Sequence, residues 1–278
     1  MEFVNAGLRA FFDVLVLPFR GLPSAVGLTV ISLLASVGML IAFGRLSDQV
    51  GLDRVKRRIQ AGIYEIRLYK DDLRAIFGSQ FAILKHTGTY FRLSMVPMLW
   101  ILVPIIILVI QLQFQYGYEA VEPGDAVLVI AELSEEEAGR AAETGAADIA
   151  LEAPEGVRVE TPAAWSPALG EVAWRVRAEA PGEHEVLVRV GDRSFSKSLR
   201  VAGTTVRRSP VRPAGLLGQI VYPAESPLPD GSVLSSIRVD YADAEVSLLG
   251  WKMHWIIAFF ILTMVFAFAL AKPMGVKI

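Results

Sequence analysis

The chain contains no cysteine. That excludes disulfides, thiol nucleophiles and thiolate-ligated metals, and any part outside the cytosol has to stand on its hydrophobic core alone. Histidine is nearly as scarce: His86, His184 and His254 lie in three separate segments with no pair at metal-ligand spacing. Charge is also short, at 20% of 278 residues, where a soluble domain carries about a quarter. The shortfall is local. Residues 21–44, 93–118 and 253–271 hold no Asp, Glu, Lys or Arg at all.

Each uncharged run is about the length of helix, roughly 20 residues, that crosses the hydrocarbon core of a bilayer. Three transmembrane helices are therefore expected. The first run is read as a retained helix rather than a secretory signal, because about twenty mixed residues precede it and Phe43-Gly44-Arg45 closes it where a small-residue cleavage site would stand. No charge lies within the spans, which argues against a pump or coupled transporter. Orientation follows from the loops, since short cytoplasmic loops collect Lys and Arg. Residues 45–96 hold ten Lys+Arg against five Asp+Glu, residues 115–251 hold twelve against twenty-two, and the "KPMGVKI" tail has two Lys and no acid. Residues 45–96 and the C-terminus are thus expected in the cytoplasm of a multi-pass plasma (inner) membrane protein, with the N-terminus and residues 115–251 outside.

The expected organisation is an interfacial amphipathic helix over 1–24, spans at 25–44, 97–116 and 252–272, a basic helical region over 45–96, an all-β sandwich over 120–203, a Pro-rich tether over 204–250 and a cytoplasmic tail over 273–278. In the basic region Leu52, Val55, Ile59, Ile63, Ile66, Tyr69, Leu73, Phe77, Phe81 and Leu84 recur every three or four residues, the mark of one apolar helical stripe. Arg54, Lys56, Arg57, Arg58, Arg67, Lys70 and Arg74 lie mostly off it. Either one long helix or a coiled-coil-like hairpin starting again at Asp71-Asp72 satisfies this pattern. The basic face suits anionic lipid headgroups or a protein partner rather than DNA.

Outside, "AVLVIAEL", "GVRVETP", "EVAWRVRAEA", "HEVLVRVG" and "SFSKSLRVAG" are short, often alternating runs between Pro and Gly turns, as in an antiparallel sandwich. Trp174, Val176, Val186, Val188, Leu199 and Val201 are expected inside; Arg175, Arg177, Arg189 and Arg200 are expected in water. "APGEHEVLVRVGDRSFSKSLRV" resembles the closing hairpin of immunoglobulin-like domains. The tether, with Pro210, Pro213, Pro223, Pro227 and Pro229, either adds strands to the sandwich or lies on the membrane before Trp251. Ser194-Phe195-Ser196-Lys197 matches a catalytic S-x-x-K only on paper, because it falls in a strand and not at a helix start. No enzyme reaction, cofactor or small-molecule substrate is indicated.

Polar residues remain within the spans. Thr29, Ser32 and Ser36 share one helix face, Gln111, Gln113 and Gln115 stand at the outer end of the second span, and Thr263 lies in the third. Ordinary helix packing and a mildly polar groove both account for them. Pro97 falls in the first turn of the second span, where its missing N–H matters little; Pro104, mid-span, deprives the Trp100 carbonyl of its partner.

This plan of helix, basic cytoplasmic hairpin, second helix, outside segment and third helix resembles the YidC/Oxa-type insertase superfamily, its three-span archaeal and endoplasmic-reticulum members above all. The local likeness is "ILKHTGTYFRLSMVPMLWILVPIIILVIQ", which resembles the segment where the family's hairpin returns through a short break to a proline-bearing helix. Met95, Pro97, Met98 and Pro104 stand where that family places helix-loosening residues. The resemblance implies a hydrophilic groove, here with Ser32, Ser36 and Gln111, that eases substrate helices into the bilayer while the basic hairpin meets ribosomes, nascent membrane proteins or other membrane subunits. Two features depart from it: no span carries the groove arginine of bacterial insertases, and the β region replaces a short loop. A reading from another class is a structural or signalling module whose sandwich binds an envelope partner.

Overall fold

The computed structural model describes residues 2–69, 71–144, 148–203 and 205–276. The chain divides into two compact units. One comprises residues 1–28 and 109–258, the other residues 29–108 and 259–278.

Helix α1 (Glu2–Val16) leads through a 3-10 turn at Leu17–Phe19, formed around Pro18, to α2 (Ser24–Leu46). Helix α3 (Gln49–Leu68) is capped by the Asp48 carboxylate, which accepts from Gly51 N–H at 2.8 Å. After a turn, the Asp72 carboxylate accepts from Arg74 and Ala75 N–H and opens α4 (Leu73–Tyr116). The basic region is therefore two helices, and the second does not stop at the membrane boundary expected at residue 96. Helix α4 runs 44 residues, about 66 Å, with no break before Pro97. Pro97 thus lies well inside a helix instead of in a first turn, and both Leu93 and Trp100 carbonyls lose their N–H partners.

Two helices, α2 and α4, are long and apolar enough to cross a membrane. Helix α7 (Trp255–Ala271) is apolar but has 17 residues, about 26 Å, short of the ~30 Å hydrocarbon core. The start of its uncharged run is drawn into a hairpin: β10 (Glu245–Leu248) pairs antiparallel with β11 (Trp251–His254). Leu249 and Gly250 both have positive φ at its two-residue turn, the backbone that matches strand twist.

Between α4 and α7 lies an all-β antiparallel region with short helices. Its first sheet has the order β3 (Val157–Val159), β5 (Glu171–Ala178), β1 (Ala126–Leu133), β9 (Leu234–Val239), β8 (Val211–Pro213), with β4 (Ala164–Ser166) also on β5. A second sheet has the order β2 (Ile149–Glu152), β6 (Gly182–Val190), β7 (Arg193–Val201). Helix α5 (Glu135–Thr144) follows β1, and α6 (Leu216–Val221) follows β8. Alternation decides the inward faces: Val129, Trp174, Val176, Val186, Val188, Leu199, Val201 and Ile237 join one core fed by both sheets.

The Pro-rich stretch is not a loose tether. Its β9 fills the place beside β1, and Leu234, Ile237 and Val239 are buried in the core. Of the two alternatives for this stretch, the added strand is the one formed, because prolines flank β9 and leave its hydrogen-bonded interior free to pair. Lys197, which faces inward from β7, is fully buried. Its Nζ donates to the Glu225 carboxylate (2.6 Å) and the Ser209 carbonyl (2.7 Å), and the same carboxylate accepts from Ser198 N–H (3.0 Å). Burial lowers the lysine's affinity for its proton and Glu225 opposes that; burial raises the Glu225 carboxyl, but Lys197 outweighs it and holds the group below its ordinary range. Ser194 is exposed on β7, three residues from inward-facing Lys197 and so on the opposite strand face, which removes the S-x-x-K pairing.

Candidate functional site

Sequence alone places all ten apolar positions of the basic region on one helical stripe, in one long helix or a hairpin. The structure divides them. Helix α3 and the start of α4 meet where Glu65 accepts from the Ser79 hydroxyl (2.9 Å) and where Ile83 lies over Gly62. A Cβ on Gly62 would stand 2.7 Å from Ile83 Cγ1, so glycine is what lets the two helices close at this point. Leu52 and Val55 are buried. Leu73, Phe77, Phe81 and Leu84, in contrast, are 70, 66, 72 and 68% exposed. They point away because the face of α4 that meets α3 is instead made by Ser79 and Ile83.

Those outward residues begin a longer line. Leu73, Phe77, Phe81, Leu84, Gly88, Phe91, Met95, Met98, Leu102 and Ile106 follow one another at steps of three or four, so they hold one face of α4 for about 50 Å. All are exposed except Met95, which is half-buried. Arg74, Lys85 and Arg92, each one position after a member of the line, are exposed beside it. A continuous apolar track of this length is beyond what an isolated surface explains, and its methionines adapt to varied partners.

Of the basic side chains singled out, Arg54, Arg57, Arg58, Arg67 and Arg74 are exposed. Arg57 pairs with Asp53 at 2.9 Å, and Lys56 Nζ lies 5.8 Å from the Tyr90 ring centre, so part of this charge serves the hairpin itself. Lys70 lies outside the described residues.

The expected groove residues do not converge on one place. Ser32 and Ser36 are buried on α2, and the Ser36 hydroxyl donates to the Ser32 carbonyl (2.7 Å) and the Thr263 carbonyl (3.0 Å). These hydroxyls therefore join α2 to α7. Pro97 is buried, while Met98 and Pro104 are exposed. Gln111 belongs to a different constellation.

At the end of α4 the three glutamines diverge as helical geometry requires. Gln113 accepts from Trp255 Nε1 at 2.9 Å, while Gln111 and Gln115, one turn apart, turn to Arg207 and to Asp13 of α1. Gln115 donates to the Asp13 carboxylate (2.9 Å), and Arg207 donates to the same oxygen (3.1 Å), to the Arg9 carbonyl (2.9 Å) and to Gln111 (3.4 Å). Burial lowers the Arg207 pKa, Asp13 opposes that, and Arg9 and Arg20 reinforce it. Its neighbour Arg208 is buried against the Tyr118, Val206 and Gly203 carbonyls. A cavity of about 280 Å³ adjoins it. Gln115 Oε1, Tyr116 Oη, Thr205 Oγ1 and Arg208 Nε belong to residues lining that cavity and are buried without a hydrogen-bond partner. Four such atoms at one cavity make it a polar site. Nothing in the sequence places Arg207 or Asp13 there, because neither lies in an apolar run.

Among the described residues no group of three or more His, Asp or Glu is disposed to hold a metal ion. No family model matches the sequence, and no curated protein or solved structure is significantly similar to it.

Proposed function

We propose that this chain is an integral membrane protein that receives apolar segments on the α3–α4 hairpin and guides them into the bilayer, an insertase-like factor of membrane-protein biogenesis. The observation that carries this reading is the apolar track of α4. Its first half, Leu73 to Leu84, lies on the basic hairpin, and its second half, Met98 to Ile106, lies in the long uncharged run. A hydrophobic segment captured on the first half stays in apolar contact as it moves to the second, and Arg74, Lys85 and Arg92 offer complementary charge to acidic flanks or to ribosomal RNA. The likeness in plan to three-span YidC/Oxa-type insertases supports the same reading, with α7 as the third span and the hairpin cytoplasmic.

The test is site-specific photocrosslinking from Phe77, Phe81 and Met98 with ribosomes translating a membrane protein. Nascent apolar segments should crosslink first to positions 77 and 81 and, with longer chains, to 98. Recovery of one stable soluble protein at all three positions would sink the proposal.

The β region favours a second reading. Strands β2, β6 and β7 run in the order of an immunoglobulin C-F-G sheet, and β3, β5 and β1 follow D-E-B, with β9 in the place of strand A. An immunoglobulin-like sandwich that binds an envelope partner would use the helices as an anchor. Deleting 120–250 and joining the helices by a short linker separates the two: an insertase keeps activity, whereas an envelope-binding module loses everything.

A further inference from the structure

A second cavity, about 270 Å³, opens among α1, the turn after it, β6, β7 and the 206–209 stretch. Four arginines line it, Arg9, Arg20, Arg200 and Arg207, against two carboxylates, Asp13 and Glu183. Arg207 is held by Asp13, and Arg200 by Glu183 at 2.6 Å. Two positive charges, those of Arg9 and Arg20, are thus left over, since neither guanidinium enters a salt bridge among the described residues. Arg200, although paired through a terminal nitrogen, leaves its Nε buried without a hydrogen-bond partner. Unpaired guanidinium groups in a recess are built for an oxyanion, and phosphate is the group their fork geometry fits best.

The rim says where the phosphate comes from. Helix α1 is tied to α6 and the segment that follows it, with Asn5 donating to the Gln219 carbonyl (3.3 Å) and Arg9 to the Pro223 carbonyl (3.2 Å). Both helices turn apolar side chains outward, Phe3, Phe11 and Val14 on one and Leu216, Leu217 and Val221 on the other. A basic recess edged by exposed apolar helices is the arrangement that seats a headgroup while acyl chains lie along the rim.

We propose that this cavity binds the phosphate of an anionic phospholipid. The site is independent of the α4 track and stands whether or not the chain inserts proteins.

The test uses the full chain purified in detergent, with native mass spectrometry reading retained lipid after exposure to phosphatidylglycerol or phosphatidylcholine, and a parallel titration with inorganic phosphate. Phosphatidylglycerol should be retained in preference to phosphatidylcholine, and Arg20→Gln should weaken it about tenfold. Arg158→Gln, the same charge change on β3 and away from the cavity lining, should leave it unaltered. Glu183→Gln should tighten retention, a gain that a folding defect does not mimic. If millimolar phosphate displaces the lipid with the same Arg20 dependence, free phosphate is the ligand and the lipid assignment fails. Equal retention of both lipids, or no effect of Arg20→Gln, overturns the site itself.

Discussion

Replacing Glu225 by Gln leaves the fully buried Lys197 without a counter-charge, with a neutral amide and the Ser209 and Ser198 carbonyls as its partners. Removing one partner of a buried ion pair costs about 3–5 kcal/mol. At about 4 °C per kcal/mol for a domain of this size, Tm should fall by roughly 10–20 °C. Lys197→Met should cost less, because the Glu225 carboxylate is 17% exposed and keeps the Ser198 N–H. The double variant Lys197→Met/Glu225→Gln should recover most of the loss, since methionine fills the lysine's volume without a charge. Glu225 sits below its ordinary pKa of 4.5 in the folded chain, so its contribution is complete above that pH and disappears as pH falls through the folded value. Wild type should therefore lose stability below about pH 4.5 more steeply than Glu225→Gln. Unfolding in urea, followed by β-sheet circular dichroism of the full chain in detergent, measures all of these. A loss below about 1 kcal/mol for Glu225→Gln, or a double variant as unstable as the sum of the singles, refutes the reasoning. The pair matters beyond stability: by holding the Ser209 carbonyl it fixes the backbone that carries Arg207 and Arg208.

Three further outcomes follow from the helices. Gly62→Val should push α3 from α4, and Ile83→Ala in the same chain should relieve it; the distance between spin labels on the two helices reads both changes. Ser36→Ala removes the bond to the Thr263 carbonyl and should cost about 0.6 kcal/mol, the usual size of such bonds between membrane helices, in a denaturant titration in mixed micelles. Pro104→Ala returns a partner to the Trp100 carbonyl and should raise helix stability and, under the proposed insertase function, lower the yield of inserted substrate; unchanged yield would count against a groove role for α4.

The strands whose cores alternate cleanly were legible residue by residue. "AVLVIAEL" is β1 to the residue, and Trp174, Val176, Val186, Val188, Leu199 and Val201 are all buried. Strands β2, β4 and β8, of three or four residues, were not, because so short a run has no period to read. The hairpin showed the opposite failure. Its period was plain, but a stripe of steps three and four does not say which of two helices it faces, and Gly62 with Ser79 moved the contact a third of a turn around α4. That rotation turned the phenylalanines of the stripe from packing residues into a surface.

The polar cluster at the end of α4 was hidden for a different reason. A search for charge within apolar runs is a search along one helix, and it finds none in this chain. Arg207 and Asp13 lie 194 residues apart, one in a segment dominated by proline and glycine, the other in an amphipathic helix. They meet only because Lys197 and Glu225 fix the 207–209 backbone and because Gln111 and Gln115 present one face of α4. A buried arginine costs several kcal/mol unless its donors are met, and here Asp13, a glutamine and a backbone carbonyl meet them. The fold thus places a cation at the end of the uncharged run of α4 without putting one in that run. The consequence is separable by experiment: Asp13→Asn should loosen Arg207 and lower the stability of the β unit, while leaving crosslinks at Phe77 and Phe81 as they are. Loss of those crosslinks would mean that the cluster and the α4 track work as one site, contrary to the division argued from their geometry.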